Sequence, residues 1–407
     1  FHRAIHLMPL SQKPAPPLNA YANSFQPYPG TRYSFGTPGP FKNVYDTYAG
    51  TDSVVAFRGG GVSLSIDQTL PFGKLVSITS WRKGNGRQIW DNGATPESYF
   101  IIRMSRSPNE DYTQELQLIS DPGRLSWVVG AFYFHNLNAV DPISRTITEP
   151  LAPAPTSAAL NTTFGREVTE SIAPFAQVDF ELFPDTKLTA GVRYTYEKRR
   201  ANVTTNIVRV NGTTARQLLD SSVTIEKPTF RIALSQQFSP DTMAYASFNT
   251  GVKSGGFNVV NAGNAGYLPE KLEAYEVGLK TQFADRRIRL NLAGFYYSYT
   301  NVQVIQFVSG TQSIANGARA KLYGLDADLE AELSSGLRVS AGLELLHSEF
   351  TSYPNAVISQ PLPGGGASLT SGDASGNRLP LAQKVTGRLS LDYHTDLGSG
   401  SVDYNLT

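Results

Sequence analysis

The chain has 407 residues, 35 basic against 34 acidic side chains and a net charge of +1, so it has no basic excess with which to collect the phosphates of a nucleic acid. It has no cysteine, which excludes a disulfide scaffold and a thiolate metal site. No apolar run reaches the roughly 18 residues of a membrane-spanning helix, and mean hydropathy is −0.23, but neither excludes a barrel in which only every second residue meets lipid.

Residues 1–60 are rich in Pro, Gly, Asn and Tyr, and Pro14, Pro16, Pro17, Pro27, Pro29, Pro38 and Pro40 predict an irregular, loop-rich segment. One or two early strands are expected between Val44 and Phe57. No apolar core followed by a small-residue cleavage site opens the chain, and it stops within a strand-like run, Ser401–Thr407. It therefore reads as an internal piece of a longer protein.

From residue 61 to 407 a period of two takes over. Val62, Leu64 and Ile66 alternate with Ser63, Ser65 and Asp67, and Leu70-Pro71-Phe72-Gly73 turns the chain into Lys74–Trp81. Tyr112–Ser120 and Arg124–Phe134 flank Asp121-Pro122-Gly123, and Val168–Phe183 and Lys187–Arg199 flank Pro184-Asp185. Val223–Phe238 and Met243–Val252 flank Pro240-Asp241; Glu270–Phe283 and Ile288–Tyr299 flank Asp285-Arg286. Arg319–Leu333 and Leu337–Phe350 flank Ser334-Ser335-Gly336, and Leu381–His394 leads through Gly398-Ser399-Gly400 to Val402. Each turn has residues suited to tight reversal. The other connections, 84–111, 136–167, 200–222, 253–269, 301–318 and 351–380, are long and polar. A soluble sandwich has no reason to place every long connection at one end, whereas an outer-membrane barrel has short periplasmic turns and long extracellular loops.

The strands also have two different faces. In Tyr323–Leu333 the odd positions are Tyr323, Leu325, Ala327, Leu329, Ala331 and Leu333, and the even ones are Gly324, Asp326, Asp328, Glu330 and Glu332. Leu188, Ala190, Val192, Tyr194 and Tyr196 are likewise expected to face lipid, with Lys187, Thr189, Arg193, Thr195 and Glu197 in the lumen. The fold expected is all-β: a transmembrane antiparallel up-and-down barrel, represented here by about 14 strands.

No enzyme chemistry stands out. His2, His6, His135, His347 and His394 show no metal-ligand spacing, and neither a nucleophile elbow nor a phosphate loop is present. Lys253-Ser254-Gly255-Gly256 has the composition of a phosphate cradle but ends a strand and opens no helix. Gly59-Gly60-Gly61 and Gly364-Gly365-Gly366 read as loop punctuation. The acidic row Asp326, Asp328, Glu330, Glu332 reads as a solvated lumen wall paired to cations such as Arg338. Trp90, Tyr99, Phe100, Tyr267, Phe307 and Tyr353 fall in or near the long connections, where aromatic rings either stack on a ligand or mark the membrane interface. Lumen-facing Arg193, Arg231 and Arg388 would attract an anionic metal chelate.

Several local motifs resemble the barrel of TonB-dependent outer-membrane receptors. They include Tyr112-Thr113-Gln114-Glu115-Leu116-Gln117-Leu118 with Trp127–Tyr133, and Ala244-Tyr245-Ala246-Ser247 leading to Gly251-Val252-Lys253-Ser254-Gly255-Gly256-Phe257-Asn258. Pro269-Glu270-Lys271, Tyr275–Lys280, Ala293–Tyr297 and Asn316–Asp326 continue the resemblance, which covers Val62–Thr407 as an ensemble. It implies a barrel of about 22 strands, embedded in outer-membrane lipid of a Gram-negative cell. It also implies import of a scarce small-molecule nutrient, foremost a ferric siderophore, energised by the TonB–ExbB–ExbD complex through a plug absent from this chain. No cofactor is implied. No plug, TonB box or terminal aromatic strand is recognisable, and cobalamin, oligosaccharide and polyphenol receptors share the same barrel grammar. A passive porin, a β-rich surface binding protein and an outer-membrane enzyme are the alternatives.

Overall fold

The computed structural model describes residues 51–91, 100–147, 158–263, 266–308, 311–361, 367–398 and 400–407. Its strands are β1 (Val54–Leu70), β2 (Gly73–Asp91), β3 (Phe100–Ser120), β4 (Leu125–Ile147), β5 (Ala158–Phe183) and β6 (Thr186–Arg209). They continue with β7 (Thr214–Ser239), β8 (Thr242–Lys253), β9 (Glu270–Phe283), β10 (Ile288–Val308), β11 (Thr311–Ser334) and β12 (Leu337–Ser352). The last are β13 (Ala356–Pro361), β14 (Ala367–Gly372), β15 (Val385–Leu397) and β16 (Gly400–Leu406). Fourteen of them form one antiparallel sheet in chain order, β12 passing directly to β15, while β13 and β14 make a separate two-stranded ribbon.

Every predicted tight turn joins two consecutive strands of the large sheet. The reversals at Asp185, Asp285, Gly336 and Gly398 each use a positive φ, of 65°, 54°, 97° and 63°. Asp tolerates that left-handed conformation and Gly adopts it freely, which is why these residues punctuate the sequence there.

The opposite end differs from the sequence-based expectation. Most of 84–111, 136–167, 200–222 and 301–318 is not loop but strand, and β3 to β7 run for 21, 23, 26, 24 and 26 residues. A membrane crossing needs only about 9–11 residues. Past that height water lies outside the wall, so the apolar-polar alternation that marks a half-lipid strand fades. Asn202 to Ile207, read as loop, pairs residue for residue with Ala215 to Asp220, and the Asn202 Nδ2 donates to Asp220 Oδ1 at 2.6 Å. Likewise β13 and β14 occupy the predicted loop 351–380, and β15 begins at Val385 rather than Leu381.

Register puts the apolar sets on one face. Val192 is opposite Phe230, Val277 opposite Gly294 and then Leu325, and Leu389 opposite Ala341. Val192, Phe230, Val277 and Leu389 are 46%, 47%, 61% and 58% exposed, as a wall built to meet lipid must be. Above them runs a row of rings in continuous register across five strands: Phe248, Tyr275, Tyr296, Tyr323 and His347. Successive ring centroids are 4.9, 6.4, 6.5 and 4.7 Å apart. At the turn end, exposed Phe183, Phe238 and Phe283 form a second tier. On β9, Tyr275 and Phe283 are eight positions apart, or about 20 Å along the axis for a strand tilted about 40°. Two aromatic tiers that far apart bracket an apolar band of membrane thickness.

The other face is polar. Its acidic column on β11 meets cations, with Glu330 3.4 Å from Arg289 and Glu332 3.1 Å from Arg338.

Candidate functional site

The connection between β8 and β9, described over 254–263 and 266–269, folds inward. Asn258 binds both backbone groups of Ile314 on β11: its Nδ2 donates to the carbonyl at 3.3 Å and its Oδ1 accepts the amide at 2.9 Å. At the other wall the Phe257 amide donates to Glu167 Oε2 at 3.0 Å, and the Ala262 amide donates to Thr205 Oγ1 at 3.1 Å. Strands β5 and β11 are six steps apart, about 29 Å along the sheet. One short segment touches both because the sheet curls, and the segment is a chord across its concave side.

Its two ends are tied together. Gly256 and Tyr267 exchange backbone hydrogen bonds of 3.0 and 2.8 Å. Gln303 Nε2 donates to the carbonyls of Ser254 at 2.9 Å and Leu268 at 3.2 Å, and Asn316 Nδ2 donates to Leu268 at 3.0 Å. The glycines fit this packing. A Cβ on Gly255 would lie 2.3 Å from the Tyr267 carbonyl oxygen, and one on Gly165 would lie 1.9 Å from that of Val259. The Ser254-Gly255-Gly256 sequence is therefore a crossing of two backbones and not a phosphate cradle.

Beneath the strap lies a charged cluster. Arg199 Nε donates to Glu197 Oε1 at 2.7 Å and its Nη1 to Glu167 Oε1 at 3.3 Å. The two carboxylate side chains are 9% exposed and the Arg199 side chain 19%. Tyr267 closes it on the strap side. On β6 the last outward aromatic is Tyr196, and the cluster lies beyond it, outside the membrane band. Burial pushes the Glu167 carboxyl above its ordinary value, against the pull of Arg199 and the Phe257 amide. Burial alone would lower the Arg199 guanidinium, but the hydrogen bond and charge of Glu197, with Glu167, leave it raised. The Tyr267 hydroxyl is also raised, by burial first and then by the Glu167 charge. Thr163, Thr169, Ser171, Ala201 and Val203 complete a buried patch that would otherwise face the lumen.

The residues proposed from the sequence do not converge on one place. Tyr267 belongs to the strap. Tyr353 packs on Phe350, with ring centroids 5.1 Å apart, beside a small apolar cluster of Ala318 and Ala320. Trp90 lies in β2 opposite Ile102, and Phe100 opens β3 opposite Ile147. Tyr99 and the side chain of Phe307 lie outside the described residues. The three arginines face inward on separate strands: Arg193 sits over the Phe132 ring at 5.5 Å, Arg231 donates to Asn249 Oδ1 at 3.0 Å, and Arg388 lies opposite Gly342. Sequence reasoning missed Glu167, Arg199, Thr205, Asn258, Gln303 and Asn316 as a set. The available signal was glycine where no tight turn needs it, at Gly165 within a strand and in the Gly255-Gly256 pair, which marks close backbone approach.

Comparison with known proteins agrees with this architecture. The pesticin receptor of Yersinia enterocolitica is 21% identical over 302 residues, covering 72% of this chain and 42% of its own length. The probable TonB-dependent siderophore receptor PiuA of Acinetobacter baumannii is 23% identical over 245 residues, 57% of this chain and 31% of that one. Among solved structures, the ferric yersiniabactin uptake receptor FyuA of Yersinia pestis superposes with a TM-score of 0.71 at 17% identity, covering 87% of this chain and 50% of that one. The crystal structure of PiuA gives 0.60 at 18% identity, covering 83% and 52%. The chain thus spans about half the length of the receptors it matches. The model of the TonB dependent receptor-like β-barrel matches residues 12–407, and the chain belongs to that family.

Proposed function

We propose that this chain is the barrel of an outer-membrane receptor in a Gram-negative cell that imports a ferric siderophore, with TonB supplying the energy. The observation that carries the reading is the family match across residues 12–407. The choice of ligand class is supported by two of its relatives, named as a siderophore receptor and a ferric yersiniabactin uptake receptor. The inner wall suits such cargo: Arg193, Arg231 and Arg388 face the lumen, and fixed cations on a concave wall raise the local concentration of an anionic chelate. Rings and charges together give affinity by stacking and by cation–π contact.

The test is tryptophan fluorescence of the full-length receptor titrated with ferric hydroxamate, catecholate and phenolate siderophores, cobalamin and an oligosaccharide. Saturable quenching by at least one ferric siderophore is expected. A response to cobalamin or oligosaccharide with none to any ferric siderophore would reassign the cargo.

A further inference from the structure

The charged cluster beneath the strap carries one more negative charge than positive. Glu167 and Glu197 share the single guanidinium of Arg199, at 3.3 and 2.7 Å, and no second cation pairs with either carboxylate among the described residues. The elements packed around it supply none. Opposite Glu167 stand Asn138 on β4 and Ala201 on β6, and on β7 Ile225 and Val223 stand opposite Glu197 and Arg199. Where β11 meets the strap it offers Ile314 and Asn316. From Ser254 to Pro269 the strap has no charged residue, and it brings to the cluster only the Tyr267 hydroxyl. An uncompensated charge shielded from water is costly, and either hydration or a proton relieves it.

The strap is fastened differently on its two sides. Towards β11, Asn258 grips both backbone groups of Ile314, and Gly256 and Tyr267 pair through their backbones to close a neck. On the other side the Phe257 amide rests on Glu167 and the Ala262 amide on Thr205. Among these fastenings only Glu167 can gain or lose a proton in the ordinary pH range.

We propose that the strap is a proton-operated flap. With a proton on Glu167 it lies closed on β5 and β6. When that proton is lost to water it swings away, pivoting on Asn258, and uncovers the buried patch to the lumen. The acid form of Glu167 still has a carbonyl oxygen to accept the Phe257 amide, and it leaves Arg199 and Glu197 as a neutral pair. Burial is the main cause that holds the Glu167 carboxyl above its ordinary value, so it binds its proton more tightly with the strap closed than open. Closure is therefore favoured below that raised value and weakens as pH climbs through it. The device belongs to the wall alone and is the same whichever cargo the lumen carries.

Amide hydrogen exchange in the full-length receptor, corrected for the intrinsic rate at each pH, reports opening of the strap. Mass spectrometry of peptides covering Gly256–Gly263 would read it. Protection there should be at least about threefold greater at about pH 5 than at about pH 8, while peptides from β9 and β10 keep theirs. Glu167→Gln retains an acceptor for the Phe257 amide but has no proton to lose. It should show the acid level of protection at both pH values. The wild-type comparison stands without the variant. Equal protection at the two pH values, or greater protection at the higher one, would overturn the proposal. So would a Glu167→Gln receptor that kept the wild-type pH dependence, since the switch would then lie in another group.

Discussion

Replacing Arg199 with alanine is expected to destabilise the full-length receptor by about 3–5 kcal/mol, because it leaves buried carboxylates without their cation. Glu167 and Glu197 both depend on that guanidinium, at 3.3 and 2.7 Å, and both are nearly shielded from water. The strap depends on Glu167 in turn, through the Phe257 amide at 3.0 Å. Denaturant titration in lipid gives the stability, and limited proteolysis within 254–268 reports release of the strap. Adding Glu167→Gln to Arg199→Ala should recover part of the loss, since it removes one of the unpaired charges. A loss below about 1 kcal/mol would place the cluster among exposed ion pairs, which contribute little.

The second large effect tests which face meets lipid. Val192 lies between the turn at Asp185 and the outward Tyr196, and is 46% exposed on the apolar face. Val192→Arg should cost about 2–4 kcal/mol, the penalty for a cation near the bilayer midplane. Ser340→Arg on the inner face, where the residue in register on β11 is Glu330, should cost far less. Equal losses in the same lipid titration would mean that the two faces have been exchanged.

These effects show how differently the parts of the molecule were written into the sequence. Within the membrane band the pattern is strict, because each strand has hydrocarbon on one side and water on the other. Tyr323–Leu333 could therefore be assigned face by face, and the structure keeps that assignment. The tight turns were legible for a different reason: Asp185, Asp285 and Gly336 stand where φ must be positive. Above the band both signals fail together. Water lies beyond the wall, backbone pairing holds the strands, and polar runs such as Asn202–Asn206 read as loops although they are strands.

The strap was the least legible part. Its contacts join residues far apart in sequence, Phe257 to Glu167 and Asn258 to Ile314, and no local periodicity records such a pairing. The glycines at its crossing points carried the trace, but a glycine in an irregular stretch is compatible with a turn as well. The ligand-contact candidates fared similarly. Composition could place rings near the tips of the strands, but Tyr353 is engaged with Phe350 and Tyr267 with the strap. That difference is decided by tertiary packing.

The most direct test of the account is uptake of a radiolabelled ferric siderophore by cells making the full-length receptor, measured with and without TonB. Import should require TonB, with cell-associated iron falling to the level of receptor-free cells in its absence. Equal uptake in both backgrounds would contradict the account and leave a passive channel as the function of the barrel.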